Sequence, residues 1–190
     1  MICIVCLGNP GKDYEKTRHN VGFRVGDILI DLFDLILEKK KFKALIYKGS
    51  IHGKPVLLIK PQTYMNLSGD AVALVKQFYK LDVSNILVMC DDFDIDYGFS
   101  RFRKKGGPGT HNGLKSVIQV LGTSDFPRYR IGIGPLHPRM KVSDFVLQRF
   151  TDEEESSMGL VLKEAANAVE LFCLKGVEEA MNSVNNRSLI

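Results

Sequence analysis

The strongest constraint on how this chain can fold is a rhythm. Short continuous apolar runs alternate with segments whose apolar residues recur every three or four positions. "ICIVCL" near the start and "NILVMCDD" in the middle read as buried strands, the second ending in acids. Between them, "VGFRVGDILIDLFDLI" carries Val21, Val25, Ile28, Leu29, Leu32 and Ile36 at helical spacing. "KALIYKGSIHGKPVLLIKP" reads as two strands around a turn at His52-Gly53, ended by Pro61. "GDAVALVKQFYKL", which Ser68 can cap, and "NGLKSVIQVLG", closed by Gly122, read as helices. "SRFRKK" is a short basic strand, and "RYRIGIG" a strand with arginines on alternate positions. From Thr151, with glutamates in its first turn, a long helix runs to about Lys175, and a second short one follows.

Strands alternating with helices, with one hairpin interrupting, predict an α/β protein. The expectation is a single domain over residues 1–190, with a central mixed β-sheet flanked by helices on both faces. Sheets of this kind take ligands at the carboxyl ends of their strands. Asn9, "KPQTYMNLSG" and "DDFD" each follow a strand in that way.

The composition removes several classes. No apolar run reaches the ~18 residues of a membrane-spanning helix, and the apolar start lacks a basic leader, so a cytoplasmic location is expected. Four cysteines fit a reducing compartment. Cys3 and Cys6 are three apart on a strand and point to opposite faces, which makes them core residues rather than a metal or redox pair. Net charge is only +4, but "EKKKFKALIYKG" and "RFRKKGG" are basic and "TDEEESS" is acidic. An anionic partner or a solvated basic loop fits either run.

"LGNPGKDYEKTRHNVG" invites comparison with a phosphate-binding loop. It has no G-x-G-x-x-G and no following G-K-[ST], and Pro10 removes an N–H that such a cradle would use. A serine nucleophile lacks its G-x-S-x-G elbow. Asp91, Asp92 and Asp94 with a distant histidine could in principle hold a cation, but no paired-histidine motif supports one, and no metal is expected. Hydrolysis without metal or covalent nucleophile needs a base for water, a group orienting that base, and donors for the oxyanion. His19, Asp91 and the asparagines Asn9, Asn20, Asn66 and Asn112 supply those types at turns or strand ends. A surface His–Asn pair and a helix cap at Asn112 remain the plainer readings at this point.

Five segments, "GNPGKDYEKTRHNVG", "KPQTYMNLSG", "DDFDIDYG", "GTHNGLKSV" and "RYRIGIGP", resemble in order the signatures of bacterial peptidyl-tRNA hydrolases, and the resemblance covers about the whole chain. It implies cleavage of the ester joining a peptide to the 3′-terminal ribose of tRNA, with no cofactor. It implies His19 as general base, Asp91 as its orienting acid, and Asn9 at the peptide near the ester. Tyr14, Tyr64, Asn66 and Asn112 would line the site, with Met65 as an apolar wall. Arg103 and Arg130 would grip the 5′-phosphate region of the acceptor stem. Thr110 stands where the family has Gly, Pro108 is atypical of the same loop, and Arg103 replaces a more usual Lys. A monomer is expected, and a catalytically silent RNA-binding protein on the same scaffold is the alternative.

Overall fold

A computed structural model describes residues 1–185 and 187–190. Seven strands form one mixed sheet: β1 (Ile2–Cys6), β2 (Ile36–Lys41), β3 (Ala44–Ile51), β4 (Lys54–Pro61), β5 (Ile86–Asp96), β6 (Ser100–Arg103) and β7 (Arg128–Gly134). Their spatial order is β2-β3-β4-β1-β5-β7-β6. The inner four, β4, β1, β5 and β7, run parallel, and antiparallel strands close both flanks. Helices α1 (Val21–Leu32), α2 (Ser68–Tyr79), α3 (Asn112–Leu121), α4 (Val142–Val146), α5 (Asp152–Lys175) and α6 (Val177–Val184) complete the α/β domain.

The sheet divides the core in two, as expected of strands covered on both faces. Ile4, Cys6, Leu87 and Met89 pack with α1 and α5, whereas Cys3, Val5, Val88 and Cys90 pack with α2 and α3. Cys3 and Cys6 therefore do lie on opposite faces. Burial pushes the Cys3 thiol up to about 12, which leaves it inert.

Three local expectations are corrected. The first helix ends at Leu32, and Ile36 opens the edge strand β2 instead. Asp34 there adopts φ 48, a turn that a continuing helix could not contain. Ser68 does not cap α2: it is the helix's first residue, and its hydroxyl donates back to the Met65 carbonyl. Asn112 does not cap α3 either, because His111 Nδ1 accepts the Leu114 N–H. The turn at His52-Gly53 is as read, with positive φ at both residues.

From β1 the chain leaves toward β4, and from β5 it leaves toward β7, so the crevice between β1 and β5 opens at their carboxyl ends. That crevice receives Asn9 and Asp91.

Candidate active site

Asp91 follows Met89 and Leu87 on alternate positions of β5, so the pleat turns it toward the face covered by α1. His19 sits in the 3-10 turn Arg18–Asn20 that leads directly into α1. The two meet: His19 Nδ1 lies 2.7 Å from Asp91 Oδ1, both side chains being buried. A carboxylate at Nδ1 selects the tautomer with its proton there. Nε2 is then an unprotonated lone pair without a protein partner among the described residues.

Sequence reasoning missed a second imidazole. His111 Nε2 lies 2.9 Å from the same Asp91 oxygen, and the His19 and His111 rings stand 5.0 Å apart. Because Leu114 N–H occupies Nδ1 of His111, the proton of the neutral ring resides on Nε2 and is donated to Asp91. The signal was present in "THNG", where His111 precedes the asparagine that had drawn the reading. Burial raises the Asp91 carboxyl, but the charges and hydrogen bonds of His19 and His111 more than reverse this and hold it well below the carboxylate range. Burial likewise lowers His19, and Asp91 outweighs it by charge and hydrogen bond, leaving the imidazole above its ordinary value.

These three residues also form the His/Cys/Asp/Glu cluster with ligand atoms within 4.8 Å of one another. His19 Nδ1 and His111 Nε2 are both turned onto the same carboxylate oxygen, whereas His19 Nε2 is not.

Asn9 is fixed on three sides. Its backbone N–H donates to Asn20 Oδ1 (2.8 Å), Asn20 Nδ2 donates to its carbonyl (2.9 Å), and its own Oδ1 accepts the Met65 N–H (2.7 Å). Among the described residues the Nδ2 amide has no acceptor and is left free to donate. Asn20, read as one asparagine among several, is thus what holds Asn9. Replacing Asn20 with Ala is expected to lower kcat/KM roughly 10-fold or more through lost positioning. Leaving two buried backbone groups unpaired should also cost about 1–3 kcal/mol in a urea titration.

Met65 is buried beside Asn9, whereas Tyr64 and Asn66 are exposed. Tyr14 stands edge-on to Tyr64, with ring centroids 6.3 Å apart. Asn112 opens α3 and lines a cavity of about 230 Å³ with His19, Asp92, Arg130, Val142 and Val146. Asn9, Met65, His19, Asp91 and Asn112 are therefore brought to one end of the sheet.

The arginines separate. Arg101 and Arg103 of β6 pair with Arg130 and Arg128 of β7, which puts all four on one face. Arg128 is buried and donates to the Gly106, Gly107 and Ser124 carbonyls, so it anchors the glycine-rich loop. Arg130 Nε lies 2.6 Å from Asp92 Oδ2 at the cavity rim, in an ion pair whose angle is too poor for a hydrogen bond. Arg103 is exposed at the end of β6, away from the dyad.

Residues 3–189 match the family model described as peptidyl-tRNA hydrolase. The chain belongs to the peptidyl-tRNA hydrolase family. Membership makes it an enzyme, a hydrolase of carboxylic esters. It is 47% identical over 186 residues to the peptidyl-tRNA hydrolase of Chloroflexus aggregans (strain MD-66 / DSM 9485), covering 97% of this chain and 99% of that one. Identity to the peptidyl-tRNA hydrolase of Alkaliphilus oremlandii (strain OhILAs) is 48%, covering 97% and 100%. The crystal structure of peptidyl-tRNA hydrolase from Acinetobacter baumannii superposes with a TM-score of 0.91 at 37% identity, covering 100% of this chain and 97% of that one. Among the described residues, no helix is long and apolar enough to cross a membrane.

Proposed function

We propose that this protein hydrolyses the ester between the peptide and the 3′-terminal ribose of peptidyl-tRNA, with a water activated by His19 and no metal. The observation that carries the reading is the 2.7 Å His19–Asp91 contact, which leaves Nε2 unpartnered beside a cavity. Nε2 takes a proton from water, and the hydroxide adds to the ester carbonyl. Asn9, Asn66 and Asn112 are the amide donors assigned to the developing oxyanion and the adjoining peptide. Collapse breaks the bond to the ribose oxygen, which takes the proton back from the imidazolium. The products are a free tRNA 3′ end and a peptide carboxylic acid, which releases its proton to solvent.

A neutral asparagine also accounts for selectivity. An N-blocked substrate offers an amide to Asn9, whereas free aminoacyl-tRNA offers a strongly hydrated ammonium that would lose solvation without gaining a counter-charge. Tyr14, Tyr64 and Met65 are assigned to the walls around the peptide and the 3′ end. Arg103 and Arg130 are assigned to the 5′-phosphate region of the acceptor stem, where phosphate contacts set register without reading sequence. The enzyme is taken to act as a cytoplasmic monomer.

The test is release of the peptide from N-acetyl-aminoacyl-tRNA in excess chelator. Turnover should persist there, and unblocked aminoacyl-tRNA should be spared. Loss of turnover that added metal restores would overturn the metal-free reading. Arg103→Ala is expected to weaken tRNA binding and make its log–log salt dependence shallower by about 1. Binding measured at several salt concentrations checks this, and an unchanged slope would remove Arg103 from the RNA surface.

A further inference from the structure

Arg18, the residue before the base, is almost fully buried, at 5% exposure. Its guanidinium grips Glu154 with two hydrogen bonds, Nη1 to Oε1 (2.9 Å) and Nη2 to Oε2 (2.6 Å). Nη1 also donates to the Ile133 carbonyl at the end of β7 (3.0 Å). Phe145 and Phe150 cover the group from 4.8 and 4.7 Å. Glu154 is committed in turn, because its Oε2 accepts the Thr151 N–H and completes the capping box of α5. The backbone is held too: Arg18 N–H donates to the Gln148 carbonyl, and Thr17 bridges Arg149.

A buried ion pair adds little net stability, because desolvation consumes most of the attraction, and apolar pairs of similar volume often do as well. What such a pair supplies is one fixed geometry. Here that geometry is imposed on the peptide unit adjoining His19, in a turn that has no side-chain cap of its own. Phe145 belongs to α4, whose Val142, Ser143 and Val146 line the cavity beside His19.

We propose that Arg18 and Glu154 are positioning residues for His19: their part-buried fork locks the imidazole against Asp91 and ties it to the α4 wall of the cavity. The proposal rests on His19 being the base. Lys at position 18 would keep the charge but could neither form the fork nor stack between two rings.

The experiment measures kcat, KM and the pH dependence of kcat/KM on N-acetyl-aminoacyl-tRNA. The variants are Arg18→Met, Glu154→Gln, their combination and Arg18→Lys, with thermal melts of each and His19→Ala in parallel. Groups facing His19, namely Asp91 and His111 with Asp92, Asp94 and Arg130 across the cavity, are unchanged in every variant. Expected are folded proteins whose kcat falls about 10- to 100-fold with KM nearly constant, as misplacement by about an ångström would give. The acid limb should move to lower pH, because His19 keeps its burial while losing part of Asp91's hold. Arg18→Lys should not rescue. A merely structural role would reduce the active fraction and leave the acid limb in place, which would overturn the proposal. Full rescue by Lys would do the same. If Arg18→Met fails to fold, Glu154→Gln carries the same comparison, since it keeps an acceptor for the Thr151 N–H. An active His19→Ala would refute the assignment of the base itself. An inactive one, beside Arg18 and Glu154 variants with wild-type profiles, would refute only the clamp.

Discussion

Replacing His19 with alanine is expected to lower kcat by about 10³- to 10⁴-fold, toward the upper part of what one general base contributes. Binding of tRNA should persist, because the arginines of β6 and β7 are untouched. The fold should persist as well: the ring makes one side-chain hydrogen bond, to Asp91, which still accepts from His111. Single-turnover release of peptide from N-acetyl-aminoacyl-tRNA, with circular dichroism as control, measures this. Activity within tenfold of wild type would contradict the role of base.

The second large effect is expected for Asp91→Asn, a fall of roughly 10²- to 10⁴-fold. An amide at position 91 can donate to His19 Nδ1, which forces the ring proton onto Nε2, the atom that must accept from water. The pH profile adds a sign. His19 is active when neutral, and Asp91 raises its affinity for the proton above the ordinary value. The wild-type acid limb of kcat/KM should therefore lie above the ordinary histidine value of about 6.5. In Asp91→Asn only burial remains, and burial lowers the value, so the limb should move to lower pH. A pH–rate series on both proteins decides it, and an unmoved limb would mean that Asp91 does not act through His19.

Much of the fold was legible because it depends on local periodicity. "ICIVCL" could only be a buried strand, and its pleat already sends Cys3 and Cys6 to opposite faces. Ile36, which opens β2, falls in the sequence reading of the first helix because it continues that helix's apolar phase. Nothing local says that Asp34 turns the chain out of it. His111 was passed over for a related reason. Its neighbour Asn112 matched an expected amide, whereas its own contact is with a carboxylate twenty residues away.

By itself the sequence determined the strand and helix periods, that Asp91 shares a strand face with Leu87 and Met89, and the alternating arginines of β6 and β7. All of these follow from 2.0- and 3.6-residue repeats. Only the tertiary structure decided what those side chains meet. The strand order set Asp91 between two imidazoles, Asn20 locked Asn9, and Arg128 became an internal anchor while Arg103 remained exposed. Hydrogen bonds act over about 3 Å, and that precision between residues 19, 91 and 111 comes from the register of the packed sheet, which no local repeat encodes.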